Sequence, residues 1–237
     1  MNKLQVQIHE LFKSKYEAAT GNKMITPKRR LPSRNRYVFE DLSKNLYEEM
    51  SDNVKAQFMN GGGEDIFEKM HSLRSSSAMT YNVFGNDKVS FKGTCGISEG
   101  SYEVNYENPL ETYSGAKTKN HIDVLLKNDR ELNFIEMKFF EPFYHKISFK
   151  REIPSAFEDR SKYIYTDSAF PFMESIRRIK RAGLVRYDAC QMFTHALGIY
   201  NYVLKNELEL KGKKIQLINC IWTLDNPFEE EKYRREF

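Results

Sequence analysis

Two apolar segments with charges inside them constrain the fold of this 237-residue chain more than any other feature. Residues 121–126 are interrupted by Asp123, and residues 132–140 are interrupted by Glu136 and Lys138. The polar run between the segments has the composition of a hairpin turn. Because a charge within an apolar strand is costly to bury unless it is paired or binds a metal, the pattern predicts a β-hairpin that carries a charged site.

Further strands and helices are predicted on both sides of this hairpin. Residues 101–107 alternate apolar and polar side chains, and residues 213–224 are typical of a buried strand. Apolar residues at helical spacing predict helices over residues 3–19 and 187–205, while serines and a glycine bound another helix within residues 75–85. We therefore expect an α/β protein in which a central mixed β-sheet is flanked by helices.

The run Gly61-Gly62-Gly63 is the strongest break in the chain. We interpret it as the junction between a helical and basic N-terminal appendage, residues 1–60, and a core, residues 61–237. The appendage contains the densest positive run of the sequence, residues 27–36, which is either a solvated loop or an arm that contacts phosphates.

Composition excludes several classes of protein. Hydrophobic residues make up 40% and charged residues 30% of the chain, which is ordinary for a globular protein. Uncharged stretches such as residues 215–224 are too short to span a bilayer, so no membrane partner is expected. The N-terminus lacks the apolar run of a secretory signal, and the sparse cysteines have no CxxC spacing. We expect free thiols and a cytoplasmic location, and a net charge of +4 permits an anionic partner.

The charged residues of the hairpin suit metal-assisted chemistry on phosphate. Side chains alternate along a strand, so Glu136 and Lys138 share a face, and hairpin pairing brings Asp123 close to Glu136. Two carboxylates and a backbone carbonyl such as that of Met137 suit Mg²⁺, which retains several waters. Lys138 would orient the attacking water, help to deprotonate it or stabilise the pentavalent phosphorus. The alternative is a Glu136–Lys138 salt bridge on an exposed sheet face, with Asp123 in a turn.

The spacing of these residues resembles a known superfamily. Asp123, twelve intervening residues and then Glu136-Met137-Lys138 resemble the PD-(D/E)xK nucleases, although Ile122 stands where proline is usual. The helix within residues 75–85, and Gln191 with His195 on a later helix, are similar to a bacterial subgroup of restriction endonucleases. The resemblance covers about residues 61–224.

This resemblance implies a restriction-endonuclease-like fold and a Mg²⁺-dependent phosphodiester hydrolase acting on DNA, with Mn²⁺ as a substitute. Asp123 and Glu136 would hold the metal, Lys138 would act on the attacking water, and Gln191 would assist. The alternatives are a non-catalytic nucleic-acid-binding protein with the same fold and a ribonuclease. Because double-strand cutters of this fold often act as dimers, a homodimer is a further expectation.

Other candidate residues rest on weaker patterns. A further acidic ligand could come from Glu64 or Glu103, although either is more often a capping or surface carboxylate. His195 lies four residues after Gln191 and so shares its helix face, where the two form either part of a cleft or a solvated pair. Nucleic-acid backbone contacts are predicted for the basic residues Lys28, Arg29, Arg30, Arg34, Arg177, Arg178 and Arg181.

Overall fold

The computed structural model describes residues 3–24, 38–63, 68–94, 96–116, 119–139, 155–184 and 187–222. The strands are β1 (Lys88–Phe91), β2 (Gly100–Leu110), β3 (Asn120–Lys127), β4 (Glu131–Lys138) and β5 (Lys214–Ile221). The α-helices that lie wholly within the described ranges are α1 (Lys3–Thr20), α2 (Asp52–Gly62), α3 (Ser76–Phe84), α4 (Ala169–Ala182), α5 (Ala189–Lys205) and α6 (Glu207–Leu210). Short 3₁₀ turns lie at Leu42–Lys44, Ser155–Glu158, Arg160–Lys162 and Thr166–Ser168.

All five strands form one sheet in the order β1-β2-β3-β4-β5. The first four run antiparallel to their neighbours, and β5 pairs parallel to β4 after the chain has passed through α4 and α5. The predicted hairpin is β3–β4, and Asn128 closes its turn by accepting hydrogen bonds from the backbone N–H groups of Arg130 and Glu131, both at 2.9 Å. The predicted mixed sheet is confirmed.

Helices pack on both faces of this sheet, as expected. On one face α2 covers β2, where the Phe58 and Tyr106 rings stack at 4.7 Å, and α3 packs over β3 and β4 with Tyr81 fully buried. On the other face α5 lies across β2, β3 and β5, and its close approach brings Gly198 against Leu110. A Cβ at position 198 would lie 2.7 Å from the Cβ of Leu110, so this helix requires glycine there.

The predicted helices 3–19, 75–85 and 187–205 correspond to α1, α3 and α5. The Ser75 side chain caps α3 by accepting from the N–H of Ala78, and Gly85 ends it. The α5 helix begins after Asp188, whose carboxylate accepts from the N–H of Gln191 at 2.9 Å. Capping side chains therefore fix where α3 and α5 start.

Residue 60 lies inside α2, which continues to Gly62 before Gly63 follows at a φ of 67°. Val54 and Phe58 of this helix are buried in the core beneath the sheet. The division of the chain at residue 60 stays a prediction, and the structure places the C-terminal part of the predicted appendage within the packed core.

The predicted irregular stretch 141–170 is described only from residue 155, where consecutive 3₁₀ turns lead into α4. The basic run 27–36 lies outside the described residues. Among the helices that the structure describes, none is long and apolar enough to cross a membrane.

Candidate active site

A row of acidic side chains crosses the centre of the sheet. The strand register sets Glu107 on β2 opposite Asp123 on β3, and Asp123 opposite Glu136 on β4. Asn219 on β5 continues the row beside Glu136. Residues that stand opposite each other on neighbouring strands project to the same face of a sheet, so the row presents three carboxylates and an amide to one face.

Strands β3 and β4 separate where they reach this row. Their ladder stops one pair short of Asp123 and Glu136, and Asp123 Oδ2 instead accepts a hydrogen bond from the backbone N–H of Met137 at 2.7 Å. The carbonyl of Lys138 accepts from the N–H of Trp222 at 2.9 Å, which turns the peptide groups of Lys138 toward β5. Because alternate residues of a strand bond to opposite neighbours, the carbonyl of Met137 lies on the β3 side, facing Asp123.

Lys138 joins the sheet to α5. Its Nζ lies 2.5 Å from Glu136 Oε1 and 2.6 Å from Gln191 Oε1, and its side chain is 17% exposed. Gln191 occupies the first turn of α5, where the Asp188 cap fixes its backbone. The structure thus brings together the four predicted residues Asp123, Glu136, Lys138 and Gln191.

His195 belongs to the same cluster and is fully buried. Its Nε2 lies 2.9 Å from Glu136 Oε2. The Thr194 hydroxyl donates to the carbonyl of Gln191 and so accepts from the Asn120 amide, whose nitrogen also lies 2.9 Å from His195 Nδ1. Nδ1 is therefore an acceptor, and the ring hydrogen sits on Nε2, facing Glu136. The expectation of a solvated helix surface is excluded for His195.

Glu107 is the acidic residue that the sequence analysis missed. It has a left-handed backbone with a φ of 48°, and its side chain is 14% exposed. Gly61 of α2 packs against its Cβ, and His121 Nδ1 lies 4.0 Å from its Oε2. The alternation of residues 101–107 places Glu103 and Glu107 on one face without distinguishing them. The strand register, with Glu107 opposite Asp123, is the signal that separates them.

The electrostatics of the row reflect crowded negative charge. Burial and the neighbouring Glu136 charge raise the pKa of Glu107 to about 7. Burial, followed by the Glu136 charge, also raises the pKa of Asp123 well above its usual value, against the opposing effects of Lys138 and the Met137 N–H. Burial opposes ionisation of Glu136 too, but its contacts with His195 and Lys138 hold its pKa below the usual value.

This donor set fits a hard divalent cation. Three carboxylates face one ammonium, so a doubly charged ion would balance the site when all three are ionised. The amide oxygen of Asn219 is buried and has no hydrogen-bond partner within the described part of the chain, which leaves a further oxygen beside Glu136. Across the described residues, no group of three or more His, Cys, Asp or Glu side chains already converges as a metal-ligand cluster, and Lys138 occupies one oxygen of Glu136.

The remaining predicted residues lie elsewhere or outside the described chain. Glu103 sits four positions along β2 from Glu107 and pairs with Lys127 at 3.2 Å, so the structure does not bring it to the site. Exposed arginines line α4, where Arg177 and Arg178 pair with Glu174. Arg181 is exposed near the end of that helix. The residues outside the described ranges are Glu64, Lys28, Arg29, Arg30 and Arg34.

No curated protein and no solved structure matches the chain. A family model described as "Restriction Endonuclease associating with ARP" matches residues 6–227. The match includes α1 from residue 6 onward and α2, which lie almost wholly before the region covered by the PD-(D/E)xK resemblance, as well as the whole sheet and α5. The five-stranded mixed sheet with helices on both faces is consistent with a restriction-endonuclease-like fold. The chain therefore belongs to this family of restriction endonucleases.

Proposed function

We propose that this protein is a divalent-metal-dependent nuclease that hydrolyses phosphodiester bonds in DNA and serves in restriction or defence. One observation carries the proposal: Lys138 Nζ is held between Glu136 and Gln191, on the face where Asp123 and Glu107 also project. Burying a cluster of charged side chains costs folding free energy, so a protein that only bound nucleic acid would be free to lose it. Membership of a restriction endonuclease family supports the same assignment.

Asp123, Glu136 and the carbonyl of Met137 would hold Mg²⁺, with Mn²⁺ as a substitute. When bound there, the ion would lower the pKa of a coordinated water and neutralise charge on the phosphoryl group. Glu107 adds a third carboxylate to the same row, so it would contribute either a direct ligand or an acceptor for a coordinated water.

The other side chains position these groups. Gln191 accepts from Lys138 and thereby fixes the ammonium at the edge of the carboxylate row, where it can hold an attacking water or stabilise negative charge on phosphorus. His195 approaches the second oxygen of Glu136, and Asn120 holds the imidazole from the opposite side. Both carboxylate oxygens of Glu136 therefore contact a neighbouring side chain before substrate binds.

The direct test is cleavage of supercoiled plasmid by the purified full-length chain in Mg²⁺ or Mn²⁺, with EDTA as the control. We expect nicked or linear product only with the metals. Linear duplex, single-stranded DNA and RNA, assayed in parallel, separate a deoxyribonuclease from a ribonuclease. Inertness on all four substrates with both metals would contradict the proposal, and binding without cleavage would favour a non-catalytic nucleic-acid-binding protein.

The homodimer and the cytoplasmic location stay predictions. Sedimentation of the purified chain with and without a short DNA duplex measures the first directly. A dimer that forms on the duplex would fit cleavage of both strands, whereas a monomer in both conditions would favour cutting one strand at a time.

A further inference from the structure

Two neighbouring cavities of about 470 and 340 Å³ open beyond the C-terminal end of β2. Glu111, Lys119 and Ile164 line both of them and form a shared wall. Each volume falls within the range of about 300–1,000 Å³ that is typical of sites for small molecules. Neither cavity contains any of the acidic residues of the candidate active site.

Both cavities lie close to that site along two elements. Asn201, which lines the smaller cavity, is ten residues after Gln191 on α5, a distance of about 15 Å along a helix. Lys119 directly precedes Asn120, whose amide contacts His195. A nucleic-acid strand seated at the active site would therefore reach the cavities within a few nucleotides.

Asn201 defines what the smaller cavity can bind. This side chain is 4% exposed, and its Nδ2 donates to the carbonyls of Glu111 at 2.8 Å and Thr112 at 3.1 Å. Two carbonyl partners require the amide nitrogen at that position, so the amide cannot be turned around. Among the described residues, none supplies a hydrogen-bond donor to its buried Oδ1, and a buried acceptor of this kind needs a donor from a ligand or a water.

The walls around Asn201 suit a nucleotide. Tyr165 and Tyr202 line the smaller cavity and provide aromatic surface against which a base can stack. Lys119 borders both cavities and can pair with a phosphate at their junction. Lys205, also at the smaller cavity, lies 3.7 Å from Glu111, which offsets the one acidic side chain in the shared wall.

We propose that the two cavities bind consecutive nucleotides of the nucleic-acid substrate, with the connecting phosphate at Lys119. In the smaller cavity a base that carries an exocyclic amino group stacks on Tyr165 and donates to Asn201 Oδ1. Thymine fits poorly, because carbonyl groups flank its single ring N–H and would face the oxygens of Asn201 and Glu111. This inference rests on the proposed function for the identity of the ligand, and it assigns base preference to a surface outside the catalytic row.

The test measures binding in EDTA, so that it does not depend on cleavage. Fluorescein-labelled single-stranded hexamers of deoxyadenosine, deoxycytidine, alternating deoxyguanosine and thymidine, and thymidine alone are titrated with the full-length protein at low salt by fluorescence anisotropy. We expect at least one amino-bearing hexamer to bind at least about fivefold more tightly than hexathymidylate. Tyr165→Ala and Lys119→Ala should each weaken that complex by at least about fivefold, since each removes a stacking or phosphate contact.

Lys211→Ala is the matched control, because Lys211 is exposed in a turn and lines neither cavity. Substitution of Asn201 would release two backbone carbonyls, so the comparison between bases tests its oxygen without disturbing the fold. Equal binding of all four hexamers, or wild-type binding by both Tyr165→Ala and Lys119→Ala, would overturn the inference and leave water as the partner of Asn201. A protein that shows the base preference but cuts no DNA would support the inference while contradicting the proposed nuclease.

Discussion

The carboxylate of Asp123 accepts a hydrogen bond from the backbone N–H of Met137 at the point where β3 and β4 part. This bond replaces a ladder bond that the separated strands no longer make. It offsets part of the cost of burying an acid in an apolar hairpin, and it holds Asp123 between Glu107 and Glu136. The separation of the two strands thus lets the Asp123 carboxylate bond to the β4 backbone beside Glu136.

Asn120 is predicted to position His195 and, through it, Glu136. Asn120→Ala removes the donor to Nδ1, which frees the imidazole to change tautomer and orientation. We expect single-turnover cleavage to fall by about 10- to 100-fold with little change in melting temperature. Asn105→Ala on β2, whose amide contacts Glu103 instead, is the control and should cut at the wild-type rate. An unchanged rate in Asn120→Ala would rule out this positioning role.

Glu107 is predicted to reduce the stability of the metal-free protein while it strengthens metal binding. Its pKa in the folded protein, about 7, exceeds the ordinary value of 4.5. The destabilisation caused by its charge is therefore complete above pH 7 and decreases as the pH falls toward 4.5. Glu107→Gln should therefore raise the free energy of unfolding at pH 8 by on the order of 2 kcal/mol, and by much less at pH 5.

Urea denaturation in EDTA at the two pH values measures this difference, and calorimetric titration with Mn²⁺ measures the metal affinity. We expect the Glu107→Gln substitution to weaken Mn²⁺ binding by at least about tenfold, because one carboxylate is lost from the site. A variant that is less stable at pH 8 and binds Mn²⁺ as tightly as wild type would show that Glu107 has only a structural role.

Gly61 is predicted to be required for its lack of a side chain. A Cβ at this position would overlap the Cβ of Glu107, so α2 could not approach β2 as closely. Gly61→Ala should destabilise the protein by about 1–3 kcal/mol, although alanine is the better helix former. Asn60→Ala, at an exposed position of the same helix, should be neutral or slightly stabilising. Urea denaturation of both variants decides the point, and a stabilised Gly61→Ala protein would contradict the packing argument.

Glu131 should make stability depend on pH in the acidic range. Burial opposes its ionisation, but hydrogen bonds from Tyr102, Ser98 and Asn133 lower its pKa to about 2. Because the folded pKa lies below the ordinary value of 4.5, the stabilisation is complete above pH 4.5 and is lost as the pH falls toward 2.

Glu131→Gln should therefore cost on the order of 2–3 kcal/mol at pH 7, and its difference from wild type should shrink to less than half at pH 3. Urea denaturation at the two pH values measures both quantities. A penalty that is the same at pH 3 and pH 7 would show that the lost hydrogen-bond geometry, and not the carboxylate charge, accounts for the effect.

The central hairpin was predictable because its information is local. Asp123, Glu136 and Lys138 stand out as charges within apolar strands, and the period of two along a strand places Glu136 and Lys138 on one face. Glu107 was not predictable in this way, because its role depends on the register between β2 and β3 and on a left-handed backbone that strand alternation does not encode.

His195 shows a second limit of periodicity. A single apolar stripe through Phe193, Leu197 and Tyr200 predicts one buried face for α5. In the structure His195 and Leu197 are both fully buried, whereas Tyr200 is 38% exposed. The helix packs against both the sheet and α4, so more than one of its faces is covered. Gly61 shows a related limit. The glycine run suggests a break in the sequence, but Gly61 lies inside α2 and lets this helix pack closely against Glu107.

Lys138 is predicted to act in phosphodiester cleavage, and a matched pair of lysine variants measures its contribution. Lys138→Ala removes the ammonium between Glu136 and Gln191, while Lys127→Ala removes a half-exposed ammonium that pairs with Glu103 on the same sheet. Initial rates of plasmid cleavage in Mg²⁺ should fall by at least about 100-fold in Lys138→Ala and stay near wild type in Lys127→Ala. Wild-type cleavage by a folded Lys138→Ala protein would show that Lys138 has no role in the reaction.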